Sequence, residues 1–368
     1  MNLQAISFWL RSRLQHLDGL LLALVCGVLI ISAAVVFSAS GQSMSRLTGH
    51  LMNIALALSV LVIIANVPPH LLARVGPPLY GVAVVLLLGV ALFGEVRNGA
   101  RRWINLGVFV FQPSELLKLA LPLMLAWYFQ RNETILRLKH YVTGAALLLL
   151  PFLLILRQPD LGTAMLIGAS GFYLLFFAGL SWKIIVGMMA AGLASLPLAW
   201  TLMHDYQRQR VLTLLDPSSD PLGAGYHIIQ STIAIGSGGF FGDGWMQGTQ
   251  NQLDFIPERT TDFIFAVFGE EFGYLGALLL VLLYLGIVAR GLLVAARAPT
   301  LFGRLMAGTI SLNFFTYAFV NMGMVSGILP VVGVPLPLMS YGGTAMITLM
   351  LGLGIVMSVA THRQINKS

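Results

Sequence analysis

The segment Phe255-Ile256-Pro257-Glu258-Arg259-Thr260-Thr261-Asp262-Phe263-Ile264 passes from a polar cluster straight into an apolar run, with Asp262 at the junction. An aspartate there caps the following helix. It also suits general-base chemistry, because flanking Phe and Ile at a cavity mouth desolvate the carboxylate and raise its pKa. The two roles are compatible. Glu270 and Glu271 follow about 12 Å further along a helix axis. In an apolar run at least one of two adjacent carboxylates must pair or stay protonated, which makes them candidates for a proton pathway. Glu115 and Lys118 share a helical face at i,i+3, as a structural ion pair or as the wall of a wet cavity. Arg46, Arg101, Arg102, Arg157, Arg208, Arg210 and Arg259 suit bidentate capture of phosphate or pyrophosphate, or plain head-group anchoring.

Further polar positions read more plainly. Asp160, in Arg157-Gln158-Pro159-Asp160-Leu161-Gly162-Thr163, is first a helix cap and second a partner for Arg157. His227 stands alone and reads as a hydrogen-bonded structural residue. The Gly-rich stretch 236–244 lacks Walker spacing and its Lys-Ser/Thr end, so it reads as hinge or close-packing backbone. Gly333–Thr344, with Pro335, Pro337 and Ser340, reads as a re-entrant turn near membrane depth, or as an ordinary outer loop.

These residues are positioned by a very apolar chain. Of 368 residues, 57% are hydrophobic and 10% charged, and the mean hydropathy is +0.86, which excludes a pair of soluble domains. The fold class expected is an all-α polytopic membrane protein, a single integral domain over 1–368. Apolar runs at about 18–38, 50–67, 76–94, 114–129, 141–156, 161–179, 183–203, 263–297, 304–328 and 343–361 give about ten transmembrane helices. One long connection, 204–262, separates the seventh and eighth runs. Within it Gly225–Ser231 reads as a helix start, while 95–107 reads as an element lying at the outer interface. The first sixteen residues, with Arg11 and Arg13 among apolar neighbours, read as an uncleaved interfacial segment. With that end inside, Lys and Arg number 12 beside the inner ends and 8 beside the outer. The bias places both termini in the cytoplasm and the long loop outside. The net charge of +7 then belongs to membrane lipids rather than nucleic acid, for which no motif exists. Cys26 is the one cysteine, so there is neither an intramolecular disulfide nor a Cys/His metal cluster. No internal repeat is visible.

Five ordered motifs carry a family resemblance: Arg102-Trp103-Ile104-Asn105-Leu106-Gly107, Phe111-Gln112-Pro113-Ser114-Glu115, Gln158-Pro159-Asp160-Leu161-Gly162-Thr163, Phe255-Ile256-Pro257-Glu258 with Thr261-Asp262-Phe263-Ile264, and Pro335-Leu336-Pro337 with Ser340-Tyr341-Gly342-Gly343. Together they resemble the SEDS family (shape, elongation, division and sporulation), from the first span to the last. Val108 and Val110 depart locally from its usual Pro and Ser. The resemblance implies a peptidoglycan glycosyltransferase that polymerises lipid II during cell elongation, at the outer face of a bacterial cytoplasmic (inner) membrane. It implies as partners a class B penicillin-binding transpeptidase and the elongation-complex proteins MreC and MreD. By motif position the family's essential loop aspartate falls on Asp262, as base. Arg101, Arg102 and Arg259 become pyrophosphate candidates, Glu115 and Lys118 shape the central cavity, and Asp160 and Ser340 join the substrate-binding set. Family behaviour implies a divalent cation, Mg²⁺ or Mn²⁺, with ligands unassigned and no organic cofactor. Two other classes compete. A lipid II flippase would use Glu115, Lys118, Glu270 and Glu271 along the midplane, and a scaffold for the transpeptidase would need no essential carboxylate.

Overall fold

The computed structural model describes residues 16–97, 100–105, 110–134, 136–158, 160–203, 205–220, 223–256 and 258–362; the expected N-terminal interfacial segment, with Arg11 and Arg13, lies outside the described residues. Each of the ten apolar runs is a helix: α1 (Gly19–Ala39), α2 (Met44–Ala65), α3 (Pro69–Phe93), α4 (Pro113–Arg131), α5 (Leu138–Leu156), α6 (Leu161–Phe177), α7 (Trp182–Leu202), and, past the long connection, α11 (Ile264–Arg297), α12 (Leu301–Val325) and α13 (Gly343–Thr361). Six of them, α1, α2, α3, α5, α11 and α13, are long and apolar enough to cross a membrane by length and composition. Their starts follow capping chemistry. Asp18 accepts the Leu21 N–H at 3.0 Å, Ser43 and Thr300 cap α2 and α12, and α3 and α4 begin on prolines whose missing N–H costs a first turn nothing. The long connection holds α8 (Asp205–Leu215), a 3₁₀ turn (Pro217–Ser219), α9 (Ala224–Ser237) and α10 (Thr249–Gln252).

Among the described residues, the chain departs from an all-α fold at one place. There three short strands form a small antiparallel sheet in the order β1 (Glu95–Arg97), β2 (Ala100–Asn105), β3 (Val110–Phe111). Pairing satisfies backbone groups that this polar interfacial segment would otherwise leave without partners.

The helices pack as neighbours α3 with α4, α2 with α13, α11 with α12 and with α1, and α12 with α6. Their outer faces are unpolar: Leu56, Ile63, Val85, Leu153, Leu196, Leu282 and Phe319 are exposed. Such a belt is stable only against hydrocarbon, so this is a multi-pass membrane protein.

The described contacts gather at two ends of the bundle. At one, Asp18 holds Arg290 through Nε at 3.1 Å and Nη2 at 2.6 Å, and the His16 and His362 rings stack 4.1 Å apart, so the start of α1 and the end of α13 share an end. At the other, 38–42, the sheet, 157–160, the long connection and 326–342 converge, tied by Ser340 to Thr261, Tyr341 to Thr260 and Asn251 to Ser38.

Helix α11 is broken. Gly273 has φ 61° and ψ −160°, and its neighbours' helical hydrogen bonds are replaced from the Gly-rich stretch. The amides of Asp243 and Gly244 donate to the Glu270 and Glu271 carbonyls at 3.0 and 3.1 Å, and those of Tyr274 and Leu275 donate to Gly239 and Phe240 at 2.9 and 3.2 Å. A Cβ on Gly273 would stand 2.3 Å from the Gly242 amide, so glycine is required for both the left-handed conformation and the close approach. The stretch 236–244 is therefore close-packing backbone, one of the two duties its composition allowed.

Candidate active site

Helix α4 brings Glu115 and Lys118 inward at its first turn. Lys118 Nζ lies 2.5 Å from Glu115 Oε1 and 5.5 Å from the centre of the Tyr317 ring, on α12. Glu115 Oε2 is buried and has no hydrogen-bond partner among the described residues. Asp160 caps α6, accepting the Thr163 N–H at 3.1 Å on one oxygen. Its other oxygen accepts the Gln112 amide at 3.3 Å and lies 3.7 Å from the Arg102 guanidinium. Arg102, on β2, also donates to the Gln158 carbonyl at 3.2 Å. With Arg210 of α8 and residues 331–335, Arg102, Gln112, Glu115, Lys118, Asp160 and Tyr317 line a cavity of about 330 Å³. Three cations, Arg102, Lys118 and Arg210, stand against two carboxylates, Glu115 and Asp160. An excess of positive charge in a partly dry cavity suits a polyanion such as pyrophosphate.

Asp262 adjoins this cavity through Gly333. A Cβ at Gly333, which lines the cavity at φ 70°, would be 3.4 Å from Asp262 Oδ2. Asn321 fixes the junction by donating to the carbonyls of Asp262 at 2.8 Å and Val334 at 2.7 Å. Asp262 does not cap α11: the cap position is Phe263 and no side chain bonds the helix start. Its carboxyl is left available. Burial, helped by the charge of Glu258, pushes it up to about 6. A base at that value is ionised at neutral pH and still accepts a proton readily. His227 stacks on Phe263, ring centres 5.3 Å apart. Burial lowers its pKa, against the pull of Glu258 and Asp220, and its buried Nδ1 lacks the hydrogen bond expected of it among the described residues.

The expected substrate set is thus divided. Arg102, Glu115, Lys118 and Asp160 come together, with Asp262 alongside. Arg259 points elsewhere: it pairs with Asp254 and donates to the Asn251 carbonyl. Ser340 is 5% exposed, and its hydroxyl is occupied within the protein, donating to the Thr261 carbonyl at 2.6 Å and accepting the Leu336 N–H at 2.8 Å. It fastens 336–340 to the Asp262 segment. The Arg101 side chain lies outside the described residues. Glu270 and Glu271 are buried. Glu270 accepts the Gln250 N–H at 2.7 Å and the Asn251 N–H at 3.3 Å, while Glu271 accepts the Ser38 hydroxyl. They anchor the long connection to α1 and α11, while Glu271 Oε2 stays buried without a hydrogen-bond partner among the described residues. Sequence reading missed Tyr317 as a wall residue, since a tyrosine in an apolar helix carries no mark of its direction. Gln112 stood in a motif, and Arg210 among the outer arginines, without being singled out.

A helical membrane bundle with a cationic cavity and an adjacent raised-pKa carboxylate defines the class of protein. Comparison supplies the family. The family model FtsW/RodA/SpoVE, described as cell cycle protein, matches residues 15–365, and the chain belongs to that family. It is 53% identical over 350 residues, 95% of each chain, to the peptidoglycan glycosyltransferase MrdB of Escherichia coli K12. It is 36% identical over 358 residues to MrdB of Helicobacter pylori, covering 95% of this chain and 91% of that one. Among solved structures it resembles a chain from a study of polymerization and crosslinking by a peptidoglycan synthase complex (TM-score 0.80, 36% identity, 94% and 97% of the two chains). It also resembles the rod shape determining protein RodA of Thermus thermophilus (TM-score 0.71, 31% identity, 95% and 98%). The SEDS resemblance of the motifs is confirmed.

Proposed function

We infer that this chain is a peptidoglycan glycosyltransferase of cell elongation, joining lipid II units into glycan strands. The observation that carries the mechanism is the uncapped Asp262 carboxyl, raised to about 6, beside a cavity that bears Arg102, Lys118 and Arg210. An acceptor sugar hydroxyl gives its proton to Asp262 while its oxygen bonds to the anomeric carbon of the donor. The anomeric C–O bond breaks on the opposite face, and its electrons leave with undecaprenyl pyrophosphate. Such a leaving group needs charge stabilisation more than a proton, and the cavity cations supply it. Glu115 and Asp160 hold Lys118 and Arg102 in place.

The whole chain, 1–368, acts as one integral domain in the bacterial inner membrane. The ten apolar helices are ten spans, both termini are cytoplasmic, and 204–262 with the Asp262 cavity is extracytoplasmic. The meeting of His16 with His362 supports an even number of crossings. The partners are a class B penicillin-binding transpeptidase and the elongation proteins MreC and MreD. No group of three or more His, Cys, Asp or Glu among the described residues forms a metal cage. Mg²⁺ or Mn²⁺ therefore fits only in the mode where one or two carboxylates share it with substrate phosphates. Glu115, with its unpartnered oxygen, would hold it there, and the ion would add neutralising charge. No organic cofactor takes part.

The test is incubation of the purified protein, with its transpeptidase and Mg²⁺, with labelled lipid II in detergent, where no bilayer exists to be crossed. Glycan polymer is expected. A flippase or a scaffold would return lipid II unchanged.

A further inference from the structure

A second cavity, of about 340 Å³, opens at the same end of the molecule. It is walled by the end of α1 and by 246–259, and its chemistry differs from that of the first. Arg259 is its one cation among the described lining residues, and Asp254 and the Asn251 carbonyl already occupy that guanidinium. Beside Gly41 and Met246, the remaining wall is amide, hydroxyl and carboxylate: Ser38, Gln42, Asn251, Gln252 and Asp254. Asn251 is 2% exposed, and its side-chain oxygen is buried with no hydrogen-bond partner. The backbone is unusual there as well. Among the described residues, five other than glycine have positive φ, and Gln42 (61°), Met246 (64°) and Asp254 (60°) of those five line this cavity. Such conformations concentrate at functional sites.

We propose that this cavity is a saccharide-binding subsite that holds a sugar of the growing glycan strand on the opposite side of the 258–262 turn from the pyrophosphate cavity. The inference rests on the polymerase reading above. An anion is disfavoured because the guanidinium is neutralised and Glu271, tied to the lining residue Ser38, lies close by. An acyl chain is disfavoured by the polar wall. A neutral sugar matches it, since hydroxyl and acetamido groups both donate and accept, as the wall does, and the volume lies in the range of small-ligand pockets. The position is the further argument. Glu258 and Thr261 close a turn, with the Thr261 N–H on the Glu258 carbonyl at 3.0 Å, that turns Arg259 to one cavity and sets Asp262 against Gly333 of the other. A polymerase must hold two sugars across its base, and two chemically distinct cavities flank this one.

The measurement is calorimetric binding of a lipid-free peptidoglycan tetrasaccharide to the full chain with its transpeptidase, beside the polymer assay. Wild type is expected to bind. Gln42→Gly keeps the left-handed backbone and removes only an exposed side chain; it is expected to weaken binding about 10-fold and to shorten the polymer. Asn251→Leu should do the same, and Arg102→Ala should leave tetrasaccharide binding unchanged while lowering polymer yield. Unaltered binding in Gln42→Gly and Asn251→Leu, or polymer from a wild type that binds no tetrasaccharide, would overturn the subsite and leave the polymerase reading standing. Tetrasaccharide binding without polymer would support the cavity as a saccharide site and remove the polymerase reading. If Gln42→Gly releases the transpeptidase and spares the tetrasaccharide, the cavity is a protein contact and the inference falls.

Discussion

At the scale of single residues, the account turns on the proton held by Asp262. Its carboxyl sits near 6 because burial and the charge of Glu258 both oppose ionisation. A base must be unprotonated, so turnover is expected to rise with pH through an acid limb near 6. Glu258→Gln removes the repelling charge and should move that limb to lower pH, as a pH–rate profile of polymer formation would show. The same shift has a sign in stability. A carboxyl raised in the folded state binds its proton more tightly there than in the unfolded chain, so folding loses stability as pH rises through that value. Asp262→Asn at neutral pH removes this cost, and its melting temperature should equal or exceed that of wild type. Asp262 and the ion pair of Glu115 with Lys118 were legible in the sequence because charge in an apolar setting must be accounted for. Arg259 and Ser340 show the limit of that reading. Ser340 stands in a motif and Arg259 between the halves of another, yet their directions are set by Asp254, Thr261 and Leu336, and no spacing along the chain reveals those partners.

At the scale of elements, helix existence was legible from apolar run length and caps, and the breaks were not. The run 263–297 reads as one helix; the break at Gly273 follows from a long-range approach of 238–244 that local pattern does not encode. The sheet at 95–111 was likewise hidden, because its strands are too short for alternation to register. Gly273→Ala is expected to cost at least about 1–3 kcal/mol from the left-handed conformation, and more from the collision with Gly242, measured as a lower unfolding midpoint in detergent. In α4, Lys118→Met alone leaves Glu115 charged and buried without its partner, at a cost of about 3–5 kcal/mol. The double change Glu115→Leu with Lys118→Met should recover most of that stability and none of the polymer yield. This outcome separates a cavity role from a merely structural pair, and parallel thermal melts and polymer assays would read it.

At the scale of the whole molecule, the bundle has one end built for chemistry and one built for fastening. Asp18 with Arg290 and His16 with His362 close the fastening end. Burial raises the Asp18 carboxyl, but the Arg290 hydrogen bonds and charge, with the Leu21 and Leu20 amides, outweigh it and lower its pKa. On the ten-span topology we propose, the other end faces outside the cell. In a Cys26→Ser background, a membrane-impermeant thiol reagent should label Ser219→Cys on intact spheroplasts and reach Glu133→Cys only after lysis. The central claim is that Asp262 accepts the acceptor's proton in glycan synthesis. Its most direct test is the rate of polymer formation from labelled lipid II by wild type and Asp262→Asn, each complexed with the transpeptidase and each shown folded by its melting curve. The account expects Asn to lower the rate on the order of 10²–10⁴-fold; a folded Asp262→Asn protein that polymerises at the wild-type rate would contradict it.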